Sequence, residues 1–139
     1  MPIKPESTFI KGVHSFLPIS KVYHMKNNNN YVGGIPDVWY SGRICALWVE
    51  YKFLPITKPT APVIPDLSHQ QLRWIKDRLR EGRHVWTIVG SKKGGVIFYD
   101  IEEMEKGIPA VDYMKRLITR KELANMIQSF CHGGSYANT

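Results

Sequence analysis

Apolar residues along the chain switch between helical and strand spacing, and the switches mark its elements. From Pro5 to Leu17 the residues Phe9, Ile10, Val13, Phe16 and Leu17 recur at helical offsets, Pro5 suits a first turn, and Pro18 closes the segment. Glu6 precedes Phe9 by three and Ile10 by four, so it shares their face. Lys21 to Lys26 reads as a short strand and Asn27 to Gly34 as a polar loop. Asp37 to Ser41 reads as a strand, Ser41-Gly42 as a turn, and Ile44 to Phe53 as the strongest strand of the chain. This last run is rich in β-branched and aromatic residues and too short for a helix. Four prolines between Phe53 and Asp66 predict an extended loop.

Ser68 then caps a helix with Leu72, Ile75 and Leu79 on its apolar stripe, and Gly82 stops it. His84 to Val89 and Gly95 to Asp100 read as strands around a turn at Gly90 to Gly94. Thr119 and Glu122 form a T-x-x-E cap for a last helix through about Phe130. Between Asp100 and Thr119 the pattern is unclear. The order is helix, three strands, helix, strand, which predicts an α/β fold with a mixed central sheet. A chain of 139 residues is about one domain long. Its expected core spans about 6–100, with a C-terminal helical extension over about 101–139.

Composition narrows the function classes. Hydrophobic residues make up 43% of the chain, enough for a buried core. No stretch reaches the roughly 18 apolar residues of a membrane span, and Met1 to Thr8 lacks the order of a secretory signal. No membrane partner and an intracellular setting are therefore expected. Cys45 and Cys131 are too few for a disulfide scaffold and lack metal-ligand spacing, and Cys45 is expected to be buried. The five histidines show no HxH or HExxH spacing, which argues against zinc catalysis. Gly33-Gly34 and Gly133-Gly134 do not make a phosphate-binding loop. The formal charge of +7 favours a polyanionic partner, because cations near phosphates release counterions.

The candidate chemistry lies where charge interrupts the strands. In Val49-Glu50-Tyr51-Lys52, alternation puts Glu50 and Lys52 on one face and Tyr51 on the other. Asp37 begins the preceding strand, and a turn at Ser41-Gly42 would fold it alongside. Two carboxylates repel unless a proton or cation lies between them. A hard divalent ion with oxygen ligands suits that place, and it would activate water and stabilise charge on a phosphoryl group. Lys52 would orient the water or neutralise developing charge. The plainer alternative is a surface ion pair of Glu50 with Lys52, of negligible energy.

Gly34-Ile35-Pro36-Asp37, followed by Trp48-Val49-Glu50-Tyr51-Lys52, resembles the PD-(D/E)xK nuclease superfamily. Leu67-Ser68-His69-Gln70-Gln71 resembles the "L-S-x-x-Q" helix start of its VRR-NUC branch, the virus-type replication-repair nucleases, and the strand at His84 to Val89 also fits. The resemblance covers roughly Glu6 to Tyr99. It departs between Lys52 and Ser68, where the loop is longer and proline-rich, and beyond Asp100 nothing matches.

The resemblance implies a restriction-endonuclease-like fold and a Mg²⁺-dependent endonuclease, with Mn²⁺ as substitute, cutting branched or duplex DNA. Under it Asp37, Glu50 and the Tyr51 carbonyl hold the metal, Glu6 adds a contact, and Lys52 is the catalytic lysine. Gln71 reaches back from the helix to the site. A phage-like source fits the branch, and a homodimer would present two sites to a branched duplex. A non-catalytic DNA-binding module and a ribonuclease are the rival classes.

Other residues admit two readings. Ser68-x-x-Gln71 is also a capping box, in which Gln71 only bonds the Ser68 backbone. Arg73, Lys76 and Arg80 stand at i, i+3 and i+7 as a basic line suited to phosphates, or as a solvated helix face. Lys92 and Lys93 at a hairpin tip are the second candidate nucleic-acid contact.

Overall fold

The structure is a computed structural model that describes residues 5–27, 33–55 and 60–133. Its elements in chain order are α1 (Pro5–His14), β1 (Tyr23–Lys26), β2 (Val38–Ser41), β3 (Ala46–Phe53), α2 (His69–Arg80), β4 (Val85–Ser91), β5 (Gly94–Phe98), α3 (Ile101–Lys106), α4 (Ala110–Arg116) and α5 (Arg120–Cys131). The five strands form one sheet in the order β1-β2-β3-β4-β5. β3 and β4 run parallel and the other neighbours antiparallel. This is the mixed α/β sheet that the apolar spacing predicts. The parallel pair requires a crossover, which α2 supplies.

Each face of the sheet has its own apolar layer. On one side Phe9, Ile10 and Val13 of α1 and Leu123, Ala124 and Ile127 of α5 bury against Tyr40, Leu47, Val49, Tyr51 and Ile88. On the other, Ile75 of α2, Met104 of α3 and Tyr113 of α4 bury against Val85, Val89, Val96 and Phe98. β4 lies between the layers and is buried at every position, as expected of a strand covered on both faces. Cover thins toward the other edge, and β1 is mostly exposed.

Several boundaries differ from those the sequence predicts. β4 ends two residues later than expected and β5 starts one earlier and ends at Phe98, so the turn between them shrinks to Lys92-Lys93. Cys45 is half-buried rather than buried, with its Sγ donating to the Phe130 carbonyl at 3.3 Å. The unclear stretch after Asp100 holds α3 and α4, each of two turns or fewer. Asp100 caps α3 through the Glu103 amide at 2.8 Å. Part of the proline-rich loop lies outside the described residues, and so does most of the Asn27 to Asn30 run. Among the described residues no helix is long and apolar enough to cross a membrane.

Candidate active site

β2 and β3 pair so that Val38 faces Val49 and Trp39 faces Trp48. Continuing that register by one position sets Asp37 opposite Glu50. Asp37 lies just before β2, and its Oδ2 accepts the Tyr51 amide proton at 2.9 Å, which ties the carboxylate to the β3 backbone. The approach to Asp37 passes the start of α2. Gly34 has φ of +88°, and a Cβ there would come within 2.7 Å of the Gln70 carbonyl oxygen, so only glycine lets the loop close on the helix.

Alternation along β3 turns Val49 and Tyr51 into the layer beneath α1 and α5. Glu50 and Lys52 therefore face α2. The Lys52 ammonium lies 3.6 Å from Glu50 Oε2, and the two side chains are 20% and 4% exposed. This is not the exposed pair that costs and gains nothing. A carboxylate is buried here, with a half-buried cation beside it.

Gln71 resolves its two readings by satisfying both. Its Oε1 accepts the Ser68 amide at 2.9 Å, while its own amide donates to the Ser68 hydroxyl at 3.1 Å, completing the capping box. With the oxygen committed to the cap, the side-chain NH₂ is left to donate to Glu50 Oε2 at 3.0 Å. The cap orients the amide.

Among the described residues Glu50 is an electrostatic anomaly. Its Oε2 has Gln71 and Lys52, whereas its Oε1 is buried with no hydrogen-bond partner. Burial, together with the charge of Asp37, pushes its pKa up to about 8 against the pull of Lys52, and Glu6 adds to the rise. Burial also raises Asp37, opposed by the Tyr51 amide, Lys52 and the facing Glu50 carboxyl. Two acids made costly to ionise side by side stabilise a bound cation. An orphaned, inward-facing carboxylate oxygen fits a hard divalent ion. Among the described residues no group of three or more His, Cys, Asp or Glu side chains is placed to hold a metal. Asp37 and Glu50 are the carboxylates that lie opposite each other here. Glu6, half-buried on the first turn of α1, acts on Glu50 through its charge.

The predicted basic residues fall in two places, the outer face of α2 and the β4–β5 turn. Arg73, Lys76 and Arg80 line one groove, in which Lys76 pairs with Glu105 of α3 at 3.1 Å and Arg80 with Asp77 at 3.2 Å. Arg73 is exposed and lines a groove with His69, Leu72 and Lys76. Lys92 and Lys93 are exposed at the β4–β5 turn. Sequence reasoning missed the role of Gly34 and the aromatic residues beside the carboxylates. Two cross-strand tryptophans next to charged strand positions were the signal for the latter.

No family model and no curated protein matches the chain. Among solved structures it is similar to Archaeoglobus fulgidus Hjc, a Holliday junction resolvase from an archaeal hyperthermophile. The two superpose with a TM-score of 0.54 over 88% of this chain and 97% of that one, at 15% identity. The chain shares the resolvase's fold. That fold is the restriction-endonuclease-like arrangement of a mixed sheet flanked by helices.

Proposed function

We propose that this protein is a divalent-metal-dependent endonuclease of the PD-(D/E)xK superfamily, VRR-NUC branch, acting on branched DNA. The observation that carries the reading is the buried Glu50 carboxylate, one oxygen unpartnered, opposite Asp37 and beside Lys52. A domain kept only for binding gains nothing from burying an acid this way. The resolvase fold and the net charge of +7 support a DNA substrate and a structure-selective activity.

In this reading Asp37, Glu50 and the Tyr51 carbonyl would hold Mg²⁺, with Mn²⁺ as substitute, and Glu6, expected from the resemblance as a further contact, adds its charge to the field there. The ion contributes Lewis-acid charge at the attacked phosphate and favours ionisation of water. Lys52 reaches the same space and holds a proton donor against the developing phosphoryl charge. Gln71 fixes the Glu50 carboxylate so that its free oxygen keeps one direction. Arg73, with Lys76 and Arg80 once their acidic partners are exchanged for phosphate, and Lys92 and Lys93 position the duplex. The whole chain serves as one intracellular nuclease domain, and two copies facing a branched duplex cut both strands.

The test is cleavage of four-way-junction, flap, linear duplex and RNA substrates with Mg²⁺ and with a chelator. Metal-dependent cutting of branched DNA, nearly abolished in a folded Asp37→Asn variant, is the expected result. Full activity in that variant, or in chelator, refutes the proposal.

A further inference from the structure

The sheet face that carries Glu50 continues away from the site as a row of aromatic rings. Trp39 and Trp48 pair directly across β2 and β3, with ring centroids 6.4 Å apart. They stand one same-face step from the Asp37 and Glu50 pair, about 7 Å along the strands. The row extends to Tyr23 of β1, 6.3 Å from Trp39, and to Trp74 of α2, 5.3 Å from Trp48. The guanidinium of Arg78, ion-paired with Glu81 at 2.9 Å, lies 5.2 Å from the Trp74 ring centre.

These rings are not sealed like those of the opposite face. Tyr23 and its neighbour Met25 are 56% and 52% exposed, and Trp39, Trp48 and Trp74 are half-buried. Arg43, in the turn joining β2 to β3, is exposed, and its Nε donates to the His132 carbonyl just after α5. Open aromatic surface with a guanidinium against one of its rings and the candidate carboxylate site at one end matches one class of ligand. Single-stranded nucleic acid presents a π-face at every base and a charge at every phosphate, and stacking on aromatic side chains accepts any base.

We propose that the Tyr23, Trp39, Trp48 and Trp74 row is a stacking platform for unpaired bases of the strand whose phosphate enters the carboxylate site. This rests on the nuclease reading and names the feature of branched DNA that the protein recognises, namely bases freed from pairing beside the cut. Duplex regions, with their bases stacked internally, do not use the platform.

The test is equilibrium binding in chelator, so that no cutting intervenes. A labelled oligothymidylate and a blunt duplex of the same length are titrated against wild type, Tyr23→Ala, Trp39→Ala and Trp39→Phe. Tyr23 is exposed, so its truncation leaves the fold intact, and thermal unfolding verifies this for each variant. Oligothymidylate should quench tryptophan fluorescence in the wild type. Tyr23→Ala and Trp39→Ala should each weaken its binding about 5- to 100-fold, the range of one lost base-stacking contact, with Trp39→Phe retaining most of the affinity. Duplex affinity should change far less. Unchanged oligothymidylate binding in folded Tyr23→Ala and Trp39→Ala overturns the proposal, as does an equal loss for both probes. A shift of Tyr23→Ala from dimer to monomer without loss of oligothymidylate binding assigns the face to a second copy and also overturns it. Platform-dependent binding by a wild type that cuts nothing with Mg²⁺ supports the platform and refutes the nuclease reading instead.

Discussion

Along β3, Leu47, Val49 and Tyr51 turn toward α1 and α5, whereas Trp48, Glu50 and Lys52 turn toward α2. Residues one apart in sequence thus belong to opposite environments. On the α1 side every polar atom of the strand's side chains is partnered. Tyr51 and Tyr40 share a hydrogen bond at 2.6 Å, and Tyr40 meets His14 Nε2 at 2.7 Å. On the α2 side a buried carboxylate keeps an unpartnered oxygen, and indole rings stay half-open. Stability and chemistry are therefore divided by the period of two that makes a strand. Both faces bury an apolar layer, and the second also carries, at Glu50, a local cost of the kind that accompanies function.

The division predicts separable effects. The largest should come from Lys52→Ala, which removes a charge from the chemical face. Single-turnover cleavage should fall by about 10² to 10⁴, as for other positioned proton-transfer or charge-stabilising groups. Metal affinity by calorimetry should hold or rise, because a nearby positive charge is gone. Lost metal binding, with the rate restored by saturating metal, would make Lys52 structural. On the other face, Leu47→Ala opens a cavity in a fully buried layer. It should cost about 2 to 5 kcal/mol in denaturant unfolding. Cleavage per folded molecule should be unchanged, and a large selective loss of activity would show that the faces are not independent.

A smaller effect concerns pH. Burial, with His24 and Lys26 nearby, lowers the His14 pKa to about 4. The unfolded chain takes up that proton below about pH 6.5, while the folded chain refuses it until near pH 4. Stability from neutral His14 is thus complete above pH 6.5 and lost as pH falls through 4. The change is on the order of 2 kcal/mol, reduced from the full shift because the ring is partly solvated. His24, also lowered by burial, acts in the same direction. His14→Gln should flatten the stability profile between pH 4 and 6.5, and an unchanged profile would remove His14 as its source. Smallest is the salt response. Arg73→Ala should flatten the slope of log K against log salt for duplex DNA by about 0.9, and an unchanged slope would turn this face away from DNA.

How much of this was legible follows from the range of each interaction. β3 announced itself through a continuous β-branched and aromatic run, and α2 and α5 through cap residues three apart, all local signals. The Asp37 and Glu50 pairing needed only one turn at Ser41-Gly42 to be inferred. α3 and α4 escaped because two-turn helices are too short to show a period, although Asp100-x-x-Glu103 was a cap in plain view. The Lys76 pairing with Glu105 joins helices far apart in sequence, so α2 alone could not show the acid beside its basic line. Gly34 looked like half of an unassigned glycine pair until its contact with Gln70 was known. The aromatic row requires the register of three strands at once, which no single segment encodes.

The central claim is that Glu50 is buried for a cation and not for the fold. Thermal unfolding of wild type and Glu50→Gln at pH 8, in chelator and in Mg²⁺, tests it most directly. With its pKa pushed up to about 8, folded Glu50 resists an ionisation that the unfolded chain completes near 4.5. Its contribution to stability is therefore present below 4.5 and lost as pH rises through 8. The amide variant escapes that penalty. The account predicts that Glu50→Gln melts higher than wild type in chelator, and that Mg²⁺ raises the melting temperature of wild type but not of the variant. A variant that melts lower in chelator, beside a wild type indifferent to Mg²⁺, would contradict it.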